Sequence, residues 1–482
     1  MNGLARLAIR GLRWDYARTG VVVLAQLLYT AIMARLLEPA AFGTFALALV
    51  VLNLARYVAQ HGLSLALIQR RQLDAVEIRA AFTASLALGL AFAALVHVSA
   101  PLVARVFGDP QLAAVLSVLA GSVVLLAAST TAEALLHRRL AFRAIAVAET
   151  TGYLVGYLVI GVALAIAGWG VWSLVASVLT QSLVHLVLFN VFARHALRPT
   201  LRWRAFRSLW SFGSVASVTG FVEFLAQQLD TLMIGRALSP ALLGIYDRAS
   251  LLIRIPVHHL AFGLVRVLFP SLARMQDDLD ASRRTYYGAV ALAAAALLPL
   301  GVGAAIAAPV VVDVVLGPTW AEAAPVFAIL AIAAPLHMLS MITATAWGAL
   351  DRMRPRLLVQ SVYLIALIGA LAVAMPYGIA VVALALVACE TLRFVAFAIA
   401  TARWLRPDRT TAIRAYAAPV VAAVLTAAAV AGADALAAHG GWPSAARLAF
   451  DMAAGAAALV IAVIVGPLRF ARPHLRRMAA GR

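Results

Sequence analysis

Arg35-Leu36-Leu37-Glu38-Pro39-Ala40-Ala41-Phe42-Gly43 returns 201 residues later as Arg236-Ala237-Leu238-Ser239-Pro240-Ala241-Leu242-Leu243-Gly244. The match extends upstream, where Ala25-Gln26 and Thr30 face Ala226-Gln227 and Thr231. Each copy is an Arg-x-Leu-x-Pro-Ala-x-x-Gly turn between two long apolar runs, with proline and glycine supplying the break. Its recurrence at equivalent places in two halves marks an internal duplication. An even number of predicted spans separates the copies, so both halves enter a membrane in the same sense. Parallel repeats of this kind are related by an axis along the membrane normal and place a substrate site at their interface.

The surrounding composition requires the membrane. Of 482 residues 64% are hydrophobic and 12% charged, with a mean hydropathy of +0.96. Soluble domains run nearer 45–50% and about 25%, so the chain has too few charges to solvate the surfaces of soluble domains. A helix crosses about 30 Å of hydrocarbon with roughly 20 residues. That ruler gives fourteen spans, near 17–37, 43–68, 80–106, 112–136, 144–167, 170–193, 209–237, 244–270, 287–316, 324–350, 357–375, 378–402, 416–437 and 446–467. The predicted fold is therefore an all-α integral membrane protein of two parallel six-helix lobes around a central cavity, with a C-terminal helix pair. Its segments are a cytoplasmic amphipathic N-terminus (1–18), an N-lobe (19–200), a C-lobe (201–405) and a C-terminal pair with basic tail (406–482).

All 39 basic residues are arginine. Thirty of them fall in alternate connections (the N-terminus, 69–79, 137–143, 194–208, 271–286, 351–356, 403–415 and the tail from 468). Positive-inside reasoning puts these connections and both termini in the cytoplasm. A basic balance of +19 suggests nucleic acid only on a soluble basic face, and here the arginines sit in short clusters between apolar runs. Without lysine the chain has no Walker A loop. The single Cys389 excludes an internal disulfide framework or a Cys-based zinc cluster within one chain. No cofactor, metal or nucleic acid is expected. Two cytoplasmic stretches, Met1–Arg18 and the one from Ser271, are amphipathic and suited to the lipid headgroup level.

An ionisable side chain at the bilayer centre should face a cavity or a partner. Asn53, Arg56 and Gln60 share one face of the second span; Glu223, Gln227 and Asp230 share one of the seventh; Asp247, Arg254 and His258 share one of the eighth. Gln26 lies on the first span, and Asn53 corresponds to Arg254 in the repeat. These polar faces would line a wet cavity between the lobes. The plainer reading for Arg254 is a buried pair with Asp247 or Glu223. Glu390 and Arg393 read as a local i, i+3 pair, and Glu133, Glu149 and Arg266 as snorkelling residues near span ends. His258-His259 lacks a third ligand for a metal.

Further stretches resemble a known family: Ile32–Gly43 continuing to His61–Arg70, Leu229-Asp-Thr-Leu-Met-Ile-Gly-Arg236, Phe269-Pro-Ser-Leu-Ala-Arg-Met-Gln-Asp-Asp278 and Leu316-Gly-Pro-Thr-Trp320. They resemble the oligosaccharide flippase (polysaccharide transport) family of the multidrug/oligosaccharidyl-lipid/polysaccharide exporter superfamily, in particular its lipopolysaccharide and colanic-acid exporters. The resemblance implies a multi-pass protein of the bacterial inner membrane, not an enzyme. It implies movement of undecaprenyl-pyrophosphate-linked oligosaccharide units from the cytoplasmic to the outer leaflet by alternating access. It further implies that cavity arginines engage the pyrophosphate, a role that falls here on Arg56 and Arg254, with Arg18 at the cytoplasmic mouth. Expected partners are the lipid-linked oligosaccharide, membrane lipids, and a polysaccharide polymerase with other pathway proteins.

With no ATP site, an ion gradient is the expected energy source, and Glu223 and Asp230 are the candidate coupling carboxylates. One rival is a drug or cation antiporter of the same superfamily, whose cavity should be acidic or aromatic. Another is a membrane-embedded polymerase or ligase, which would call for a substantial extramembrane loop or an acidic catalytic motif.

Overall fold

The computed structural model describes the backbone of residues 2–69, 74–194, 200 and 214–464, with their side chains except those of 2–17, 55–66, 68–69, 214–219, 262 and 266. The basic tail from 468 and the side chains of the N-terminal amphipathic stretch before Arg18 lie outside the described residues. Every regular element described is helical. In chain order these are α1 (Asn2–Leu36), α2 (Pro39–Gln69), α3 (Ala75–Phe107), α4 (Pro110–Arg138), α5 (Phe142–Tyr153), α6 (Val162–Ile166) and α7 (Val171–Ala193). There follow α8 (Ser214–Ala237), α9 (Pro240–Ala273), α10 (Leu279–Ile306), α11 (Ala308–Val315), α12 (Ala323–Ala349), α13 (Met353–Ala374), α14 (Ile379–Leu405), α15 (Arg409–Ala412), α16 (Ala418–His439) and α17 (Ser444–Ile464). A π-helical stretch, Leu154–Gly161, joins α5 to α6, and another, Ile413–Ala417, joins α15 to α16.

Among the described residues twelve helices are long and apolar enough to cross a membrane. The second and seventh expected spans are also helical, as α2 and α8, and the described part of α2 contributes the apolar stretch Pro39–Leu54. Glu223, Gln227, Gln228 and Asp230 lower the hydropathy of α8. The expected ninth span, 287–316, is two helices broken at Ala307, beside Pro309. The eleventh starts at Met353, which takes Arg354 and Arg356 out of the predicted loop and into a helix.

The chain divides into two compact units, Met1–Ser217 with Ile234–Gly244, and Val218–Met233 with Ile245–Arg482. In the first, α4 packs on α2, α3 and α7, and the α5–α6 helix packs on α1 and α7. Asp109 caps α4 by accepting from the Gln111 N–H at 3.0 Å, and its other oxygen accepts from the Thr44 hydroxyl of α2 at 2.5 Å. Arg138 and Arg139 donate to the Leu67 and Ala193 carbonyls, at 3.1 and 2.6 Å, tying down the ends of α2 and α7. In the second unit α10 packs on α12 and α16, α12 and α13 pack on α14, and α17 packs on α16 and α11. Ala295, Ala418, Ala422 and Ala462 form one buried cluster there. Small residues of this kind let membrane helices approach closely where lipid offers no hydrophobic drive.

The two copies of the repeated turn meet inside the first unit. A Cβ built on Gly43 would overlap the Pro240 carbonyl oxygen, and one on Gly244 would overlap the Pro39 carbonyl oxygen. Proline opens α2 and α9, where its missing N–H leaves no bond unmade. The glycine four residues on lets the helix starts touch backbone to backbone. Gly43→Val and Gly244→Val should each lower the thermal unfolding midpoint of the purified protein, at an overpacking cost of about 1–3 kcal/mol. Gly20→Ala, which meets nothing within 4 Å, should leave the midpoint close to that of the parent; equal shifts at all three would contradict the packing argument.

Candidate functional site

The two carboxylates of α8 find partners on other helices of the second unit. Glu223 is held bidentately by Arg356 of α13, with Nε to Oε1 at 2.9 Å and Nη2 to Oε2 at 2.8 Å. Gln360, one turn on, adds a bond to Oε1 at 3.2 Å. Gly348 makes room for this fork, since a Cβ there would stand 2.9 Å from Arg356 Nη1. Two planar groups meeting in parallel is the strongest side-chain ion pair available, because both bonds are charge-assisted.

Asp230, two turns along α8, has a different environment. Its Oδ2 accepts from the Tyr246 hydroxyl of α9 at 2.6 Å and its Oδ1 from the Thr231 N–H at 2.7 Å. Arg254 lies within electrostatic reach. Gln227, between the two carboxylates in sequence, is exposed. Glu223 and Asp230 thus make separate contacts, with α13 and with α9.

On α9, Asp247 is held chiefly by its neighbour Arg248, whose Nε and Nη2 reach Oδ2 at 3.0 and 2.5 Å. Arg254 stands 3.8 Å from the other oxygen and leaves 55% of its side chain uncovered. The plainer reading, Arg254 paired with Asp247 or Glu223, accounts for a loose contact with the first and none with the second. His258 is exposed one turn further along. In the first unit, Arg18 pairs with Glu149, which joins α1 to α5. Gln26 and Asn53 are half-buried on α1 and α2. The side chains of Arg56, Gln60 and Arg266 lie outside the described residues.

A second polar group lies deeper in the same unit. Glu390 and Arg393 of α14 form the expected i, i+3 pair, 3% and 5% exposed. They are not alone. The Tyr363 hydroxyl of α13 donates to Glu390 at 2.7 Å, the Arg393 guanidinium stacks 4.2 Å from the Tyr363 ring centroid, and His337 of α12 reaches both charges.

Sequence reasoning missed Arg356, Gln360, Tyr246, Tyr363 and His337. Arg356 was counted among loop arginines; its i, i+4 spacing to Gln360 was the available signal. His337, alone in an apolar span, gave none. Among the described residues no three His, Cys, Asp or Glu side chains gather as a metal site.

Comparison with known proteins places this geometry in context. The family described as polysaccharide biosynthesis protein matches residues 32–325. The chain is 25% identical over 339 residues to the lipopolysaccharide biosynthesis protein WzxC of Escherichia coli K12, covering 68% of this chain and 67% of that one. It is 30% identical over 333 residues to the succinoglycan biosynthesis transport protein ExoT of Rhizobium meliloti 1021, covering 68% and 66%. These alignments span about two thirds of each relative. Among solved structures, the lipid II flippase MurJ in an inward closed conformation superposes with a TM-score of 0.76 at 11% identity, over 97% of this chain and all of that one. A multidrug resistance MATE family transporter of the MOP superfamily in its inward-facing conformation gives 0.57 at 13%, over 80% and 95%. These likenesses establish the fold. With 32–325 matched, the chain belongs to the polysaccharide biosynthesis protein family.

Proposed function

We propose that this protein moves lipid-linked oligosaccharide units from the cytoplasmic to the outer leaflet of the bacterial inner membrane for surface polysaccharide biosynthesis. The carrier we assign is undecaprenyl pyrophosphate, and the energy source an ion gradient. The observation that carries this reading is Arg254. A guanidinium near the middle of a membrane helix, more than half uncovered, would cost about 2.5–3.5 kcal/mol against lipid. Water or an anion must therefore meet it. Guanidinium suits a diphosphate, since it stays charged and binds phosphate oxygens two at a time. Arg56 and Arg18 take the same role in our reading, Arg18 at the cytoplasmic entrance. Gln26, Asn53, Gln60, Gln227, Asp247 and His258 give the sugar and its water hydrogen-bonding neighbours.

The arginine distribution supports cytoplasmic termini. Glu223 and Asp230 are the proposed coupling carboxylates. Each bonds a different helix, so protonation of Glu223 releases Arg356, and protonation of Asp230 weakens its hold on Tyr246. A polysaccharide polymerase acting on the delivered unit is the partner this reading calls for.

Two outcomes follow. Arg254→Ala and Arg56→Ala should each cut surface polysaccharide at least about tenfold, the loss of one charged phosphate contact, while membrane levels of the protein hold. Normal export from either strain would contradict the phosphate role. The double variant Glu223→Gln/Asp230→Asn, reconstituted in vesicles, should lose the response of transport to an imposed ion gradient; an unaltered response would remove both carboxylates from coupling.

A further inference from the structure

The buried group around Glu390 contains one atom with two incompatible neighbours. His337 Nδ1 lies 3.0 Å from Glu390 Oε1 and 2.9 Å from Arg393 Nη2. A carboxylate only accepts hydrogen bonds and a guanidinium only donates them. A neutral ring with its lone pair on Nδ1 satisfies Arg393 and leaves the carboxylate contact unmade. A ring carrying its hydrogen on Nδ1, as the other neutral tautomer or as the cation, satisfies Glu390 and turns that hydrogen against the guanidinium. The two states of one imidazole thus select different partners on α14.

The surroundings make this a device rather than a static pair. Glu390 and Arg393 are sealed, whereas His337 keeps 26% of its side chain uncovered, so the ring is where the group can exchange a proton. Arg393 has a spare donor, since its Nε is buried without a partner. From α13 the cluster meets Tyr363, which bonds Glu390 and feels Asp230 electrostatically. From α9 it meets His258, whose electrostatic neighbours include Arg254, His259 and His337. Of the other helices packed on α12, α10 brings Tyr286, bonded to Thr343 at 3.0 Å, and α11 carries Asp313. α14 also carries Cys389 beside Glu390. The interface affected continues along α12 and α14, where Trp347 donates to Thr401 at 2.8 Å.

We propose that His337 is a proton-binding site that sets the contact between α12 and α14, and that a proton gradient acts on transport through it. The Nδ1 lone pair takes a proton from water. The new N–H donates to Glu390, and Arg393 loses its acceptor on the ring while keeping Glu390 Oε2. Return of the proton to water restores the first arrangement. This rests on the transport reading above and extends coupling beyond Glu223 and Asp230.

The full chain in lipid nanodiscs, labelled with 13C at the histidine Cε1, gives the test. His337→Gln assigns the resonance, and glutamine can serve both neighbours without titrating. The wild-type His337 signal should report two protonation states between the lowest and the highest pH at which the protein transports. Glu390→Gln should alter that response, because the carboxylate that accepts from the ring N–H is gone. As Glu390→Gln strands a buried cation, Glu390→Gln/Arg393→Gln is measured beside it; there transport of a fluorescent diphosphate-linked sugar lipid loses its pH dependence. His337→Gln should likewise transport with a flat pH profile. A single protonation state across the range, or a wild-type pH profile in His337→Gln, would overturn the proposal. A titrating His337 in vesicles whose transport ignores a proton gradient also overturns it, and leaves the transport of lipid-linked sugar standing.

Discussion

A charge inside lipid must be matched or wetted, because hydrocarbon offers it nothing. That constraint organises the polar content of this chain. Asp109 is spent on a helix cap and a Thr44 hydroxyl, Arg248 on Asp247, Glu223 on the Arg356 fork, and Glu390 on Arg393, Tyr363 and His337. Arg447 holds Asp434 at 2.7 Å in the C-terminal pair. Arg254 differs from these, with a loose 3.8 Å contact and an open surface that leave its charge to something other than the fold. Asp451 is the converse, a carboxylate 2% exposed with neither oxygen hydrogen-bonded, set one turn from Arg447, whose charge it feels.

The same constraint separates the rigid parts from those able to change. The paired turns at Pro39–Gly43 and Pro240–Gly244 meet through backbone atoms, which leaves no side chain free to rearrange. The carboxylate contacts are different. Glu223, Asp230 and Glu390 each join two helices through a group whose charge a proton can cancel, so the bond between the helices depends on occupancy. Moving an anionic headgroup calls for both kinds of contact: fixed points about which helices turn, and bonds that are made and broken in the turning.

What the sequence disclosed follows from where information is local. Proline and glycine encode a turn by their own backbones, so the repeat at residues 35–43 and 236–244 was legible, as were most helices from their apolar lengths. Break points such as Ala307 and the early start of α13 at Met353 shifted by a few residues, which moved Arg356 from a loop to a partner of Glu223. The polar residues of α8 and α9 were visible from spacing. Their partners were not, because Tyr246, Arg356, Gln360 and Tyr363 are chosen by tertiary packing. His337 is the extreme case: one histidine in an apolar span, given meaning only by two residues that arrive from another helix.

The most direct measurement follows the lipid itself. Purified protein is reconstituted in vesicles with a fluorescent undecaprenyl-diphosphate sugar, and a quencher that cannot cross the bilayer reports how much remains in the outer leaflet. The account predicts protein-dependent exchange of that lipid between leaflets, and none of an otherwise identical sugar lipid lacking the diphosphate. Equal exchange of the two lipids, or no exchange of either, would contradict a cationic membrane face that recognises a phosphorylated headgroup.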